Sequence, residues 1–183
     1  MFLNRREMEL RKVHFEETFP PGEIRFKDQK LWQAGPLRTS GAAELLPNTK
    51  GDIRVQGRIR VEMEAECDRC LDVASYPVDV EFDLFYQPVD TSPKAGEIAL
   101  ETGESSVDFY EGEGLDLEDI LREQVLLALP MQKVCGEKCL GICPVCGQNR
   151  NRVVCGCQVK APDDRWSALR EWGHTPFSPV RER

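Results

Sequence analysis

The chain has 183 residues, a net charge of −8 at neutral pH, and 40% apolar and 31% charged residues. This composition is ordinary for a globular protein in water, and no run of about 18 apolar residues is present that would cross a bilayer. The acidic total excludes a protein coated all over in basic residues for nucleic acid. The length allows one compact domain and a small appendage, which we place at residues 1–133 and 134–183.

The N-terminal region predicts extended structure. Residues 1–19 are expected to form an edge strand, and the prolines and glycine of residues 20–22 end it. A second extended segment is expected over residues 31–46, interrupted at Gly35-Pro36. The residues that can line one side of the first strand are Leu10, Val13, Phe15 and Phe19.

The clearest pattern lies in residues 52–66, where apolar and polar residues alternate over fifteen positions. Such a period of two predicts a long strand with one solvated face. The same alternation returns from Tyr76 to Tyr86. Because C-D-R-C-L-D lies between the two strands, Cys67 and Cys70 are predicted at the tip of a long β-hairpin.

An acidic region follows the hairpin. From residue 87 to 106 the periodicity disappears and Pro, Ser, Thr, Gly and Glu dominate, which predicts a surface loop. Residues 81–119 contain 12 acidic residues and one basic residue, Lys94. Such a run is usually a solvated face, and the alternative is a docking surface for a basic protein. A short strand is expected over residues 107–110.

A helix is predicted next. Asp116 can cap it, the first turn is acidic, and Pro130 ends it. Val125 to Leu129 is apolar on nearly every side, so we expect the end of this helix to be buried. Its expected role is to pack on the sheet and to bring Cys135 toward the hairpin tip.

A second, short helix is predicted near the C-terminus. Asp163 or Asp164 can cap it, and Trp166, Leu169 and Trp172 share one stripe. Such a stripe usually belongs to a core or a docking face, and the alternative is stacking on bases. We expect the last ten residues to be disordered.

Eight cysteines suit two tetrahedral four-ligand metal sites. C-P-V-C-G is the strongest motif, and the C-G-C that follows closes one site of four thiolates: Cys143, Cys146, Cys155 and Cys157. The second site then consists of Cys67, Cys70, Cys135 and Cys139. Spacing alone also permits a swapped arrangement, with Cys135, Cys139, Cys143 and Cys146 together.

Zinc is the preferred ion, with two per chain, because paired knuckles with C-P-x-C-G are typical of zinc ribbons. An iron–sulfur cluster is also compatible with cysteine ligands. Disulfides are disfavoured because no apolar signal segment precedes the body of the chain, which indicates a reducing cytoplasm. A redox C-x-x-C usually stands alone.

The sequence indicates a binding protein and not an enzyme. Closed four-thiolate sites leave no coordination position for water. The two histidines, His14 and His174, lie near the ends of the chain and are not expected to be ligands. No P-loop, H-E-x-x-H or G-x-S-x-G motif occurs.

The cysteine-rich end is also the basic end. Residues 1–129 carry 15 Lys and Arg against 27 Asp and Glu, whereas residues 130–183 carry 9 against 5. These cations either offset the negative thiolates or contact RNA. The candidate RNA-contact residues are Lys133, Lys138, Arg150 and Arg152.

Taken in order, several stretches resemble the YceD family of large ribosomal RNA subunit accumulation proteins. They are C-D-R-C-L at 67–71, the leucine-rich run at 115–130, C-G-E-K-C-L-G-I-C-P-V-C-G-Q-N-R-N at 135–151 and D-D-R-W-S-A-L at 163–169. The N-terminal third matches only in being β-rich, and Asp163-Asp164 replaces the Asp-Pro of the family. The resemblance implies a non-enzymatic role in accumulation, processing or assembly of large-subunit ribosomal RNA.

We therefore expect an α+β protein in which a curved, partly barrel-like antiparallel sheet carries a packed helix and a C-terminal cysteine-rich zinc module. Its expected partners are large-subunit ribosomal RNA or its precursor and a basic ribosomal protein, with no membrane and no small-molecule substrate. The alternatives are a zinc-ribbon regulator of transcription or translation and, third, a redox protein.

Overall fold

The structure, a computed structural model, describes residues 1–26, 30–89 and 107–158. The α+β class is confirmed, and the described residues form mostly sheet with two helices. In chain order the elements are β1 (Phe2–Asn4), α1 (Arg5–Leu10), β2 (Val13–Phe19), β3 (Leu31–Gln33), β4 (Leu37–Leu45), β5 (Ile53–Glu66), β6 (Val73–Pro88), β7 (Val107–Tyr110), β8 (Gly114–Asp116) and α2 (Leu117–Ala128).

The main sheet has the strand order β2-β4-β5-β6-β7, and β3 pairs with the far end of β5 beyond β4. The expectation of a purely antiparallel sheet is wrong at one pair, because β7 runs parallel to β6. The expected partly barrel-like form is also wrong, because the strands of the described residues make an open sheet that is not closed into a barrel. Strands β2 and β7 lie at the two ends of this strand order, while β1 and β8 make a separate antiparallel pair.

The long hairpin predicted from the alternating pattern is confirmed. Strands β5 and β6 pair continuously from Ile53 opposite Tyr86 to Glu66 opposite Val73. Alternate side chains of β5 are buried, and the outward side chains form cross-strand ion pairs such as Arg58 with Asp79 at 2.5 Å. Because a slip of one residue would exchange the two faces, this pattern fixes the register that places the tip.

Two glycines face each other at the centre of the sheet. Gly41 of β4 lies opposite Gly57 of β5, and the ring of Phe15 lies beside one and the ring of Phe82 beside the other. A β-carbon on Gly41 would be 2.3 Å from the carbonyl oxygen of Gln56 and 2.6 Å from the Phe15 ring. The glycines thus let two buried aromatic rings cover the backbone directly.

The N-terminal expectation is wrong for residues 5–10, which form a helix and not part of a strand. The Asn4 side chain accepts a hydrogen bond from the Arg6 backbone at 2.9 Å and so caps the helix. Arg11 pairs with Glu7 one turn earlier at 2.6 Å. Leu10 is 87% exposed and does not line the sheet.

The predicted cap of α2 is confirmed, since the Asp116 side chain accepts from the Glu118 backbone at 3.0 Å. One stripe of the helix is buried, including Leu121 and Val125. The expectation that the whole C-terminal turn is buried is wrong, because Leu127 is 73% exposed. Only one side of a helix can face a sheet, and the apolar run is longer than that side.

No helix within the described ranges is both long enough and apolar enough to span a bilayer. Most of the acidic loop, the predicted helix at 163–173 and the last ten residues lie outside the described residues. The division of the chain at Val134 stays a prediction.

Candidate metal centres

The structure brings the eight cysteines into two groups, each of which can hold a metal ion. Within each group the four sulfur atoms all lie within 4.8 Å of one another. We call them the first centre (Cys67, Cys70, Cys135 and Cys139) and the second centre (Cys143, Cys146, Cys155 and Cys157). The swapped arrangement that spacing alone permits is not the one formed.

The first centre joins the hairpin tip to the segment after α2. Cys67 and Cys70 are buried at the tip, whereas Cys135 is exposed and Cys139 is half-buried. Backbone bonds align the two segments, because Asp68 donates to the Lys133 carbonyl and the Lys133 N–H donates to the Asp68 carboxylate, each at 2.7 Å. Sequence positions more than sixty residues apart therefore meet at one site.

Both centres use the same tight turn. In the first, the Leu71 N–H donates to the Cys67 carbonyl at 2.9 Å, and in the second the Gly147 N–H donates to the Cys143 carbonyl at 2.8 Å. The residue after the second cysteine has positive φ in each case, 64° for Leu71 and 73° for Gly147. Glycine adopts this conformation freely, whereas Leu71 adopts it at a cost.

The distances between the sulfurs fit a tetrahedral zinc site. Cys67 Sγ lies 3.9 Å from Cys139 Sγ, and Cys70 Sγ lies 3.6 Å from Cys135 Sγ. A tetrahedron with Zn–S bonds of about 2.3 Å has edges of about 3.8 Å. Four thiolates without an oxygen ligand suit a soft or borderline ion such as zinc, and not Mg²⁺ or Ca²⁺.

Each centre favours one thiolate through backbone donors. Burial disfavours the charged form of Cys67, but N–H groups of Cys135, Cys70 and Arg69 outweigh it and lower its pKa to about 6. N–H groups of Cys146 and Val145 likewise lower the pKa of Cys143 to about 6. Ionising the other three sulfurs of a centre would add further negative charge, and a bound cation is needed to balance it.

Neighbouring sulfurs hold other thiols in the protonated form. A hydrogen bond with Cys139 raises the pKa of Cys135 to about 12, and one with Cys146 raises the pKa of Cys157 to about 12. A dication removes this penalty because it attracts every thiolate at once, so metal binding releases protons. The Asn151 side chain assists at Cys139, where its hydrogen bond lowers the pKa.

The four candidate RNA-contact residues have different surroundings. Arg152 forms an ion pair with Asp72 at 2.7 Å, and the Lys133 backbone is bonded to the hairpin tip. Lys138 and Arg150 have exposed side chains beside the centres. His14 is exposed on β2, away from the cysteines, and His174 lies outside the described residues.

Sequence reasoning missed two residues at the site, Asn149 and Asn151, which bond to groups of the first centre. Both belong to the Q-N-R-N-R loop between the cysteine pairs of the second centre. A signal was present, because such short amide side chains are frequent partners of turn backbone. Nothing in the spacing shows that the loop reaches the other centre.

The family model described as "Large ribosomal RNA subunit accumulation protein YceD" matches residues 55–171. The chain is 24% identical over 172 residues to "Large ribosomal RNA subunit accumulation protein YCED homolog 1, chloroplastic" of Zea mays, a match that covers 77% of this chain and 58% of that protein. It is 32% identical over 120 residues to the uncharacterised protein Rv2926c of Mycobacterium tuberculosis, covering 65% and 55%.

A third relative is the uncharacterised protein YlbN of Bacillus subtilis, 24% identical over 133 residues, with 70% of this chain and 69% of that protein covered. The chain thus spans little more than half the length of the maize and mycobacterial relatives. No solved structure matches the chain.

Proposed function

The chain belongs to the YceD family of large ribosomal RNA subunit accumulation proteins, and on that premise we propose that it is a zinc-stabilised binding factor for large-subunit ribosomal RNA and its assembly. The resemblance predicted from the cysteine motifs and the leucine-rich run is confirmed by the family match. The proposed place of action is the cytoplasm, where a reducing environment keeps thiols available for metal.

One observation carries this proposal: four sulfurs from two distant segments meet at the hairpin tip with spacing that suits zinc. In the proposed holo-protein each ion is closed off by four thiolates and serves the fold, not a reaction. Zinc would attract all four thiolates and offset the repulsion among them, and the chain's own backbone N–H groups orient the sulfurs. The result is a rigid surface for binding, which supports a role without catalysis.

The surface beside the centres supports contact with RNA. Lys138 and Arg150 project cations into solvent there, and phosphate groups bind such cations with release of counterions. Each centre filled with zinc would carry a charge of about −2, so these cations also offset the thiolates. Binding of a basic ribosomal protein to the acidic residues 81–119 is the other proposed contact.

Depletion of the protein is expected to lower the amount of large-subunit particles and to raise precursor ribosomal RNA, while small-subunit particles persist. The reason is that a factor of the large subunit acts before those particles are complete. Sedimentation profiles and analysis of precursor RNA ends measure this. Re-expression of the wild-type chain is the control, and a normal large-subunit profile after depletion would refute the proposed function.

Replacing Lys138 and Arg150 together with glutamine is expected to weaken binding of large-subunit ribosomal RNA. The plot of log K against log salt has a negative slope. If each cation contacts one phosphate of a single strand, the double variant should make that slope less steep by about 1.4, since each contact contributes about 0.7. Titration at several salt concentrations measures it. If the wild-type chain binds no RNA even at low salt but captures a ribosomal protein, the cations only offset the thiolates.

A further inference from the structure

A short loop, Gln148–Arg152, separates the two cysteine pairs of the second centre. The Cys143 N–H donates to the Gln148 carbonyl at 2.8 Å, and the Arg150 N–H donates to the Gly141 carbonyl at 2.9 Å. On the other side, the Ile142 N–H donates to the Arg69 carbonyl of the hairpin tip at 2.8 Å. The backbone that carries this loop is therefore held against the first centre.

Asn151 contacts a sulfur of the first centre. Its Nδ2 group donates to Cys139 Sγ at 3.4 Å, and its Oδ1 atom accepts from the Leu140 backbone N–H at 2.8 Å. One side chain thus bonds both the ligand residue and the residue that follows it. Outer partners of this kind orient ligands and stabilise their charged form.

Asn149 contacts the hairpin half of the same centre. Its Nδ2 group donates to Asp72 Oδ2 at 2.7 Å and to the Cys70 carbonyl at 3.3 Å. Its Oδ1 atom accepts from the Asn151 backbone N–H at 2.9 Å, which connects the two asparagines. The loop therefore touches both segments that form the first centre.

We infer that Asn149 and Asn151 are positioning residues of the first centre, and that the two centres therefore bind their metal ions cooperatively. The inference rests on the proposed binding of metal at both cysteine groups. An ion at the second centre holds Cys143 and Cys146 to Cys155 and Cys157, and so fixes the two ends of the loop. The ordered loop then presents its asparagines to the first centre.

This coupling has a thermodynamic consequence. If an ion at the second centre raises the affinity of the first by some factor, an ion at the first raises the affinity of the second by the same factor. Loss of an outer partner of a metal ligand typically weakens binding 10- to 100-fold. We expect a factor of that size here, because the loop supplies partners to two of the four ligand residues.

The test is competition between the full-length protein and a chromophoric chelator for Zn²⁺, with the Co²⁺ absorption spectrum as a second readout. Asn151→Ala is expected to weaken one binding step about 10- to 100-fold and to shift the thiolate-to-Co²⁺ band of that centre. Asn151→Asp keeps an acceptor for Leu140 but places an anion beside Cys139 Sγ, so a larger loss is expected.

Replacing Cys155 and Cys157 together with serine removes the second centre and is expected to weaken the remaining step by a similar factor. Gln148→Ala is the matched control, since Gln148 carries the same amide in the same loop but exposes it. Both affinities should be unchanged in that control.

Unchanged affinity of the first centre in both Asn151→Ala and the double cysteine variant would overturn the inference. Two ions that bind independently would remove the coupling alone and leave the proposed metal centres standing. A wild-type chain that binds neither Zn²⁺ nor Co²⁺ would remove the centres and the coupling together.

Discussion

Replacing Cys67 with serine is expected to remove one of the two proposed zinc ions and to lower the free energy of unfolding by roughly 4 kcal/mol or more. Cys67 is fully buried, its sulfur lies 3.9 Å from that of Cys139, and it accepts backbone N–H groups from two segments of the chain. A serine hydroxyl is a poor replacement for a thiolate ligand, so the metal-mediated link between the hairpin tip and the segment after α2 is lost. Elemental analysis of dialysed protein gives the metal count, and denaturant titration gives the stability.

The control for this variant is Cys157→Ser at the second centre. It should also release one ion, but the loss of sheet stability should be smaller. Cys157 lies on the segment after the Gln148–Arg152 loop, whereas Cys67 directly follows β5 at the tip of the long β5–β6 hairpin. Retention of two ions in Cys67→Ser, or equal destabilisation by both variants, would contradict a metal-mediated link between the hairpin tip and the segment after α2.

Replacing Gly41 with valine is expected to destabilise the sheet by about 3 kcal/mol. The new β-carbon would stand 2.3 Å from the Gln56 carbonyl oxygen and 2.8 Å from the Gly57 α-carbon, both of them backbone atoms. A backbone neighbour in the next strand cannot swing away as a side chain can, so β4 and β5 must separate. For a chain of this size the melting temperature should fall by about 6 to 12 °C.

Gly35→Ala serves as the control for Gly41, since a β-carbon at Gly35 would meet only the Glu62 β-carbon, at an ordinary 3.8 Å. Its stability should stay within about 0.5 kcal/mol of wild type. Thermal unfolding of the zinc-saturated proteins measures both variants. A melting temperature for Gly41→Val equal to that of Gly35→Ala would show that the pair of Gly41 and Gly57 does not bring β4 and β5 close together.

Several elements could be predicted because their signals are local. The alternation in residues 52–66 is itself the pattern of a strand with one buried face, and Asp116 and Pro130 mark the two ends of α2. Residues 5–10 defeat the same method, because apolar residues near them suggest a strand while the cap at Asn4 favours a helix. Contacts between side chains four residues apart, such as Arg11 with Glu7, favour the helix. The alternation of apolar and polar residues does not reveal such contacts.

The parallel direction of β7 could not be predicted from residues 107–110. Four residues show only that a strand is present, and direction depends on how the chain returns to the sheet edge. The exposed Leu127 has a similar explanation. Apolar sequence shows what a segment would gain from burial, whereas the area of the facing sheet sets how much of the helix can be covered.

By itself the sequence determined the family, the hairpin, the helix after it and the set of eight cysteines, because each depends on residues close together in the chain. Only the tertiary structure decided which cysteines share a centre and that Asn149 and Asn151 contact the first. The first centre in particular depends on distances between segments more than sixty residues apart. Such distances follow from the register of β5 with β6 and from the packing of α2, and spacing along the chain does not contain them.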